Sequence, residues 1–116
     1  MLPEAKLTAI LQENGLKLVK HAVGSGGSAY VHRAEVTSET EGMPSSGTSV
    51  AVKEFREEIL GIPNQIERIR QEAHIGSNVA HRHVATAYKL IETQDYALLA
   101  LEWIEGMTLC DWLQEH

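Results

Sequence analysis

Several residue types are scarce in this chain of 116 residues. Its single cysteine, Cys110, cannot close a disulfide within the chain or build a four-cysteine metal site, so a reducing, cytoplasmic setting is expected. Lysine and arginine number 10 against 16 acidic residues, a net charge of -6, which argues against nucleic acid as a partner. The longest strictly apolar run, Tyr96 to Leu101, is too short to span a bilayer. The first six residues also lack the basic start and apolar run of a secretory signal.

The composition is that of folded, soluble material. Hydrophobic residues make up 43% and charged residues 22% of the chain, close to the averages for globular proteins. Because domains usually contain roughly 100–150 residues, the chain can hold one ordinary core. The sequence therefore predicts a single compact domain and no membrane segment.

Hydrophobic periodicity predicts an α+β fold, with a five-stranded, mostly antiparallel sheet, one central helix and a short N-terminal helix. Leu7, Ile10 and Leu11 recur at helical spacing before Asn14 and Gly15, which predicts a helix over 3–14. A capping pattern opens the predicted central helix. The predicted strands cover 16–23, 29–36, 50–55, 86–91 and 96–103, and the central helix covers 65–78.

The end of the chain carries an unusual pattern. Leu109, Trp112 and Leu113 begin an apolar helical stripe after a capping pattern, and the sequence stops at His116. Such a stripe is normally buried, so we expect this sequence to be a fragment. The alternatives are that the stripe folds back on the domain or pairs with another subunit.

A glycine-rich turn separates the first two predicted strands at 24–29. Glycine lets backbone amides approach an anion such as phosphate without side-chain obstruction. A dinucleotide-binding turn would need a helix directly after it, and a strand is predicted there instead. A Walker-type loop would need a Gly-Lys-Ser/Thr triplet, which does not occur. The remaining alternative to a phosphate site is a hairpin turn without a ligand.

Three features in combination favour a ligand site. The glycine turn matches G-x-G-x-x-G-x-V at Gly24, Gly26 and Val31, and Val50-Ala51-Val52-Lys53 matches V-A-I-K on the third strand. Glu72 follows inside the predicted central helix. With His81-Arg82-His83-Val84 and the stretch 98–106, this order resembles the amino-terminal lobe and hinge of the protein kinase family, from about Leu16 to the end.

The resemblance implies a division of the chain and a set of site residues. Residues 1–15 would be an N-terminal helical extension, 16–106 the lobe and hinge, and 107–116 the start of a carboxyl-terminal lobe whose missing part would cover the hinge side. Lys53 and Glu72 would be the catalytic residues of this lobe, and no metal ligand is expected. Residues implied to bind ATP are Val23, Gly24, Ser25, Gly26, Gly27, Ser28, Ala29, Val31, Ala51, Lys53, Leu101, Glu102 and Ile104.

These residues have distinct implied roles. Val23, Val31 and Ala51 would cover adenine, and Leu101 would be the gatekeeper at the back of the pocket. The backbone of the hinge would hydrogen-bond the base. Each apolar member is equally compatible with ordinary sheet core.

The lysine also has a physical argument of its own. A lysine on a half-buried strand must keep its charge solvated or paired, because an isolated ammonium in an apolar setting is costly. Glu72 on the adjoining helix is the expected partner, and such a pair would hold the ammonium toward nucleotide phosphates. The alternative is that Glu72 pairs with Arg68, one helical turn earlier, in an exposed contact.

The sequence also departs from the family pattern. Ala29 replaces the third glycine, Ser28 stands where an aromatic residue is common, and the loop over 37–49 is long. Neither H-R-D-x-x-x-x-N nor D-F-G occurs in these residues, so the magnesium ligands have no counterpart here and this chain alone is expected to be inactive.

The parent is predicted to transfer the γ-phosphoryl of ATP, with magnesium, to serine or threonine of a protein substrate. A non-catalytic, pseudokinase-like interaction module is the main alternative, and a small-molecule kinase of related fold is a third.

Metal and thiol chemistry are not expected. No cysteine pattern and no residues that would orient metal-bound histidines accompany His74, His81 and His83, so we interpret them as structural or exposed. Cys110 has no neighbouring base in the sequence pattern that would make it a nucleophile.

Overall fold

The computed structural model describes residues 1–25, 29–40, 42–61, 67 and 87–103. Leu16–Ser25 and the four later strands form one sheet, and a helix precedes it. In chain order the elements are α1 (Glu4–Glu13), β1 (Leu16–Ser25), β2 (Ala29–Val36), β3 (Ser49–Phe55), α2 (Glu57–Leu60), β4 (Ala87–Glu92) and β5 (Ala97–Glu102).

The sheet has the strand order β1-β2-β3-β5-β4, and every neighbouring pair is antiparallel. Strands β4 and β5 form a hairpin in which the Thr93 amide donates to the Tyr96 carbonyl at 2.9 Å. The prediction of an α+β fold with a five-stranded antiparallel sheet and a short N-terminal helix is therefore confirmed. Of the predicted central helix over 65–78, only Glu67 lies within the described residues, and it is helical.

Alternation along the strands gives the sheet two apolar faces. The helix-covered face packs against α1. We use this name for the whole cluster that the sheet and α1 form there, and its buried members are Leu7, Ile10, Leu11, Leu16, Ala34, Val36, Val50, Val52, Ile91, Leu98 and Ala100. The opposite side, which we call the lysine face because Lys53 shares it, has the buried members Ala29, Val31, Ala51, Phe55, Ala87, Ala97, Leu99 and Leu101.

Helix α1 forms because its apolar residues share one stripe. Leu7 and Leu11 are fully buried and Ile10 is nearly so, whereas the intervening positions are more exposed. The side-chain amide of Asn14 donates to the Ile10 carbonyl at 2.8 Å and satisfies one of the acceptors left free at the end of the helix. None of the helices in the described ranges combines the length and apolar character that a bilayer crossing requires.

Gly15 makes the turn from α1 into β1 in the left-handed region, with φ at 74°. Its carbonyl accepts hydrogen bonds from the amides of Thr37 at 2.8 Å and Ser38 at 3.3 Å. A Cβ at this position would lie 3.2 Å from the Ser38 carbonyl oxygen, so both conformation and space favour glycine. This contact anchors the beginning of the long connection between β2 and β3.

We therefore expect Gly15→Ala to lower the free energy of unfolding by about 1–2 kcal/mol for the left-handed backbone, plus a steric contribution. Gly47→Ala is the matched control, because Gly47 has φ at 93° but open space where its Cβ would lie. Urea unfolding of both variants measures the difference. A Gly15→Ala variant no less stable than Gly47→Ala would contradict the steric part of this account.

Candidate functional site

Lys53 is the buried cation of the sheet. It lies on β3 opposite Val31 of β2 and Leu99 of β5, and its side chain is 1% exposed. Its ammonium lies 5.3 Å from the centre of the Phe55 ring, a cation–π distance that places the charge on the lysine face. The predicted alternation on this strand, with Ala51 and Lys53 on one face, is confirmed. A lysine buried to this degree requires compensation of its charge.

The apolar residues assigned to adenine lie together on the same face as Lys53. Val31, Ala51 and Leu101 belong to one buried cluster, and the half-buried Val23 packs against it. Ala51 of β3 is paired with Leu101 of β5, so these two residues are neighbours in the sheet. The lysine face thus combines an apolar floor with the buried Lys53 ammonium, a combination that suits a ligand with a flat apolar part and an anionic part.

The glycine turn joins β1 to β2 beside this cluster. Gly24 is paired with Val31 and Ser25 with Tyr30, so both arms of the turn belong to the sheet. Ala29, the residue in place of the third family glycine, is fully buried on the lysine face. The tip of the turn lies outside the described residues; it consists of Gly26, Gly27 and Ser28.

Strand β1 is irregular just before the turn. Between the pairs Lys20–Arg33 and Gly24–Val31, three residues of β1 lie opposite His32 alone. Ala22, in the middle of this bulge, has φ at 52° in the left-handed region. Bulges re-aim the strand that contains them, and this one lies where β1 delivers the chain into the glycine turn.

The predicted hinge begins at the end of β5. Leu101 is buried, and Glu102, paired with Val50, is half-buried. Trp103 follows and packs against the lysine-face cluster, with the Arg33 guanidinium 4.6 Å from its ring centre. Burial, and to a smaller extent the Glu102 carboxylate, raises the pKa of Tyr88 above its usual value. The first residues of the predicted hinge are thus packed against the sheet, and Ile104 lies outside the described residues.

Several predictions fall outside the described residues. The proposed partner of Lys53, Glu72, is among them, and so is the alternative partner Arg68. The same holds for the residues considered for metal or thiol chemistry, which are His74, His81, His83 and Cys110. Their roles stay predictions.

The sequence interpretation missed a buried polar pair on the helix-covered face. The His32 imidazole Nε2 lies 2.9 Å from Glu54 Oε1, with the two side chains 0% and 5% exposed. A signal was present, because both residues occupy positions whose strand alternation matches their core neighbours Ala34 and Val52. Two complementary polar residues at core-facing positions of adjacent strands indicate a buried pair.

Comparison with known proteins agrees with the geometry. The sequence model of the protein tyrosine and serine/threonine kinase family matches residues 17–116. The chain is 30% identical over 101 residues to the serine/threonine-protein kinase PrkC of Bacillus subtilis, covering 86% of this chain and 14% of that protein. It is 31% identical over 97 residues to the serine/threonine-protein kinase PLK4 of Aedes aegypti, covering 84% and 12%.

A plant relative gives the same result. The chain is 33% identical over 94 residues to the serine/threonine-protein kinase ATG1a of Arabidopsis thaliana, covering 81% of this chain and 14% of that protein. The chain thus spans about one seventh or less of the length of these relatives. The match of a kinase family model over most of the chain, together with the five-stranded sheet and the buried strand lysine, shows that this chain belongs to the protein kinase family.

Proposed function

We propose that this chain is the ATP-binding lobe of a protein kinase that transfers the γ-phosphoryl of ATP to serine or threonine hydroxyls of a protein substrate. The observation that supports it best is the burial of Lys53 on the same face as the cluster of Val31, Ala51 and Leu101. A buried cation without a functional reason is costly, because a hydrophobic residue would fill the same space more favourably. The preference for serine and threonine rests on the relatives.

The residues present fit ATP. Adenine is flat and apolar and suits the cluster around Ala51, whereas the triphosphate is anionic and suits an ammonium. The backbone amides of the glycine turn would add donors to the phosphates, since glycine leaves them accessible. When bound, magnesium neutralises charge on the phosphates; no residue of this chain is assigned to it. Lys53, held by Glu72, would orient the phosphates rather than exchange protons with them.

The lobe alone is expected to bind ATP weakly and to transfer nothing. Phosphoryl transfer depends on positioning and on metal-based charge stabilisation, and the motifs that supply the metal ligands do not occur in these 116 residues. In the complete protein, a carboxyl-terminal lobe would cover the hinge side and the other face of the base. The proposal therefore concerns the complete protein that contains this chain.

Titration of the isotope-labelled complete protein with ATP tests the assigned face. We expect amide shifts at Gly24, Val31 and Lys53, and no comparable change at Leu7 and Ile10 on the helix-covered face. ATP should bind at least about tenfold more tightly than adenosine, because charge-assisted contacts to phosphate are stronger than neutral ones. Equal affinity for the two ligands, or shifts centred on α1, would contradict the proposal. ATP binding without any transfer would instead support the interaction-module alternative.

A further inference from the structure

Four hydrogen bonds lie at the edge of the helix-covered face. Together with the peptide bond between His21 and Ala22 and the backbone of Leu2, they form a closed ring. The Leu2 amide donates to Glu54 Oε2 at 2.7 Å, and His32 Nε2 lies 2.9 Å from Glu54 Oε1. The Ala22 amide donates to His32 Nδ1 at 2.8 Å, and His21 Nε2 lies 3.2 Å from the Leu2 carbonyl oxygen. The rings of His21 and His32 also stack, with centroids 4.9 Å apart. The ring links the N-terminal segment, β1, β2 and β3.

The partners fix the direction of each bond. His32 Nδ1 accepts from an amide, so it carries a lone pair, and Nε2 therefore carries the proton that it donates to Glu54. Glu54 accepts on both oxygens, which compensates for the burial of a carboxylate that is 4% exposed. Each group in the ring acts either as a donor or as an acceptor, so the ring fixes one position for the backbone groups that it binds.

Ala22 is the member of this ring that lies nearest in sequence to the glycine turn. Its backbone holds a left-handed conformation that is unfavourable for alanine, and its amide is satisfied by His32. Gly24, the first residue of the glycine turn, follows two positions later on the same strand. Lys53 neighbours Glu54 in sequence and lies on the opposite face. The ring therefore fixes the entry of the turn without touching the lysine face.

We propose that His32, oriented by Glu54 and Leu2, is a positioning residue that holds the bulge at Ala22 and so sets how Gly24 enters the glycine turn that is proposed to bind the phosphates of ATP. This inference rests on the proposed function, because it assumes that the turn covers phosphate. It gives the N-terminal segment a role in nucleotide affinity through the Leu2 arm of the ring. The role is transmitted through the backbone, since His32 lies on the face opposite the ligand.

Two substitutions separate the two bonds of His32. His32→Gln places an amide near the position of Nε2 and can still donate to Glu54, but it leaves the Ala22 amide without its acceptor. His32→Asn places an amide oxygen near the position of Nδ1 and can still accept from Ala22, but it leaves Glu54 with one donor fewer. The pair is matched, because each variant keeps one bond and an amide in the same pocket.

The proposal predicts that His32→Gln has the weaker affinity for ATP, whereas His32→Asn has the lower free energy of unfolding. In the complete protein, the Kd for ATP should rise about threefold to tenfold in His32→Gln, the factor that one ordinary hydrogen bond contributes, and the Kd for adenosine should stay constant. His32→Asn should bind ATP within about twofold of the parent but unfold at lower urea, because a buried carboxylate loses a donor. Unchanged ATP affinity in His32→Gln, equal weakening of ATP and adenosine, or affinity loss that follows stability would overturn it.

If the unsubstituted complete protein bound ATP no better than adenosine, both the proposed function and this inference would be contradicted. An ATP-selective parent with an unaffected His32→Gln variant would remove the inference alone. If a variant fails to fold, two measurements on the unsubstituted protein still test the proposal. Imidazole nitrogen shifts should show His32 protonated at Nε2, and the Ala22 amide should exchange slowly with solvent. The other tautomer, or exchange as fast as at the exposed Val19, would overturn the proposal.

Discussion

Lys53→Met should abolish phosphoryl transfer by the complete protein, with a loss of at least about a hundredfold. The substitution removes the only charge assigned to the phosphates and keeps a side chain of similar length on the lysine face. Any loss of stability should be too small to explain the loss of activity, because methionine fills a similar space on this face, where Lys53 is 1% exposed. Initial rates with a generic protein substrate and urea unfolding measure the two quantities.

Lys17→Met is the control for this substitution, because Lys17 is exposed on β1, where it is paired with Glu35. It should leave both the rate and the free energy of unfolding near those of the parent. A Lys53→Met variant that retains full activity would refute the role of Lys53. A variant that loses activity only in proportion to its folded fraction would assign the lysine to structure instead.

Leu11→Ala should lower the free energy of unfolding by about 2–5 kcal/mol, a large part of the stability of a small domain. Leu11 is fully buried where α1 packs on the sheet, so its truncation leaves a cavity in the helix-covered face. The prediction states that α1 is an integral part of the fold. Urea unfolding monitored by circular dichroism measures it.

Gln12→Ala is the matched control on the next residue of α1, which is exposed. Its effect should stay within about 0.5 kcal/mol, as expected of a surface substitution in a helix. If Leu11→Ala behaved like Gln12→Ala, α1 would not be packed on the sheet in solution. The helix-covered face would then need another cover.

The strands were predictable because local pattern and tertiary environment agree. The run from Ala29 to Val36 was predicted as a strand from its β-prone residues, and its bounds coincide with those of β2; the third strand differs by one residue at its start. The turn at Gly15 was predictable for a related reason, since only glycine adopts its backbone conformation cheaply. Such positions are determined by neighbours in sequence.

The bulge in β1 was not predictable in the same way, and of the ring around Glu54 the sequence indicates only the pair with His32. Ala22 gives no sign that it adopts a left-handed conformation, because the cause lies in His32 on the next strand. Glu54 follows Lys53, and a charged pair at the end of a strand normally indicates an exposed end. Its burial depends on Leu2, which is distant in sequence. The roles assigned to ATP-binding residues stay predictions, because apolar residues such as Val31 and Ala51 suit a sheet core equally well.

The most direct test is a crystal structure of the complete protein with a non-hydrolysable ATP analogue. The account predicts that Lys53 Nζ lies about 2.7–3.2 Å from a phosphate oxygen, within hydrogen-bond distance, with adenine against Ala51 on the lysine face. Phosphates bound elsewhere, or an ammonium more than about 6 Å from every phosphate oxygen, would contradict it.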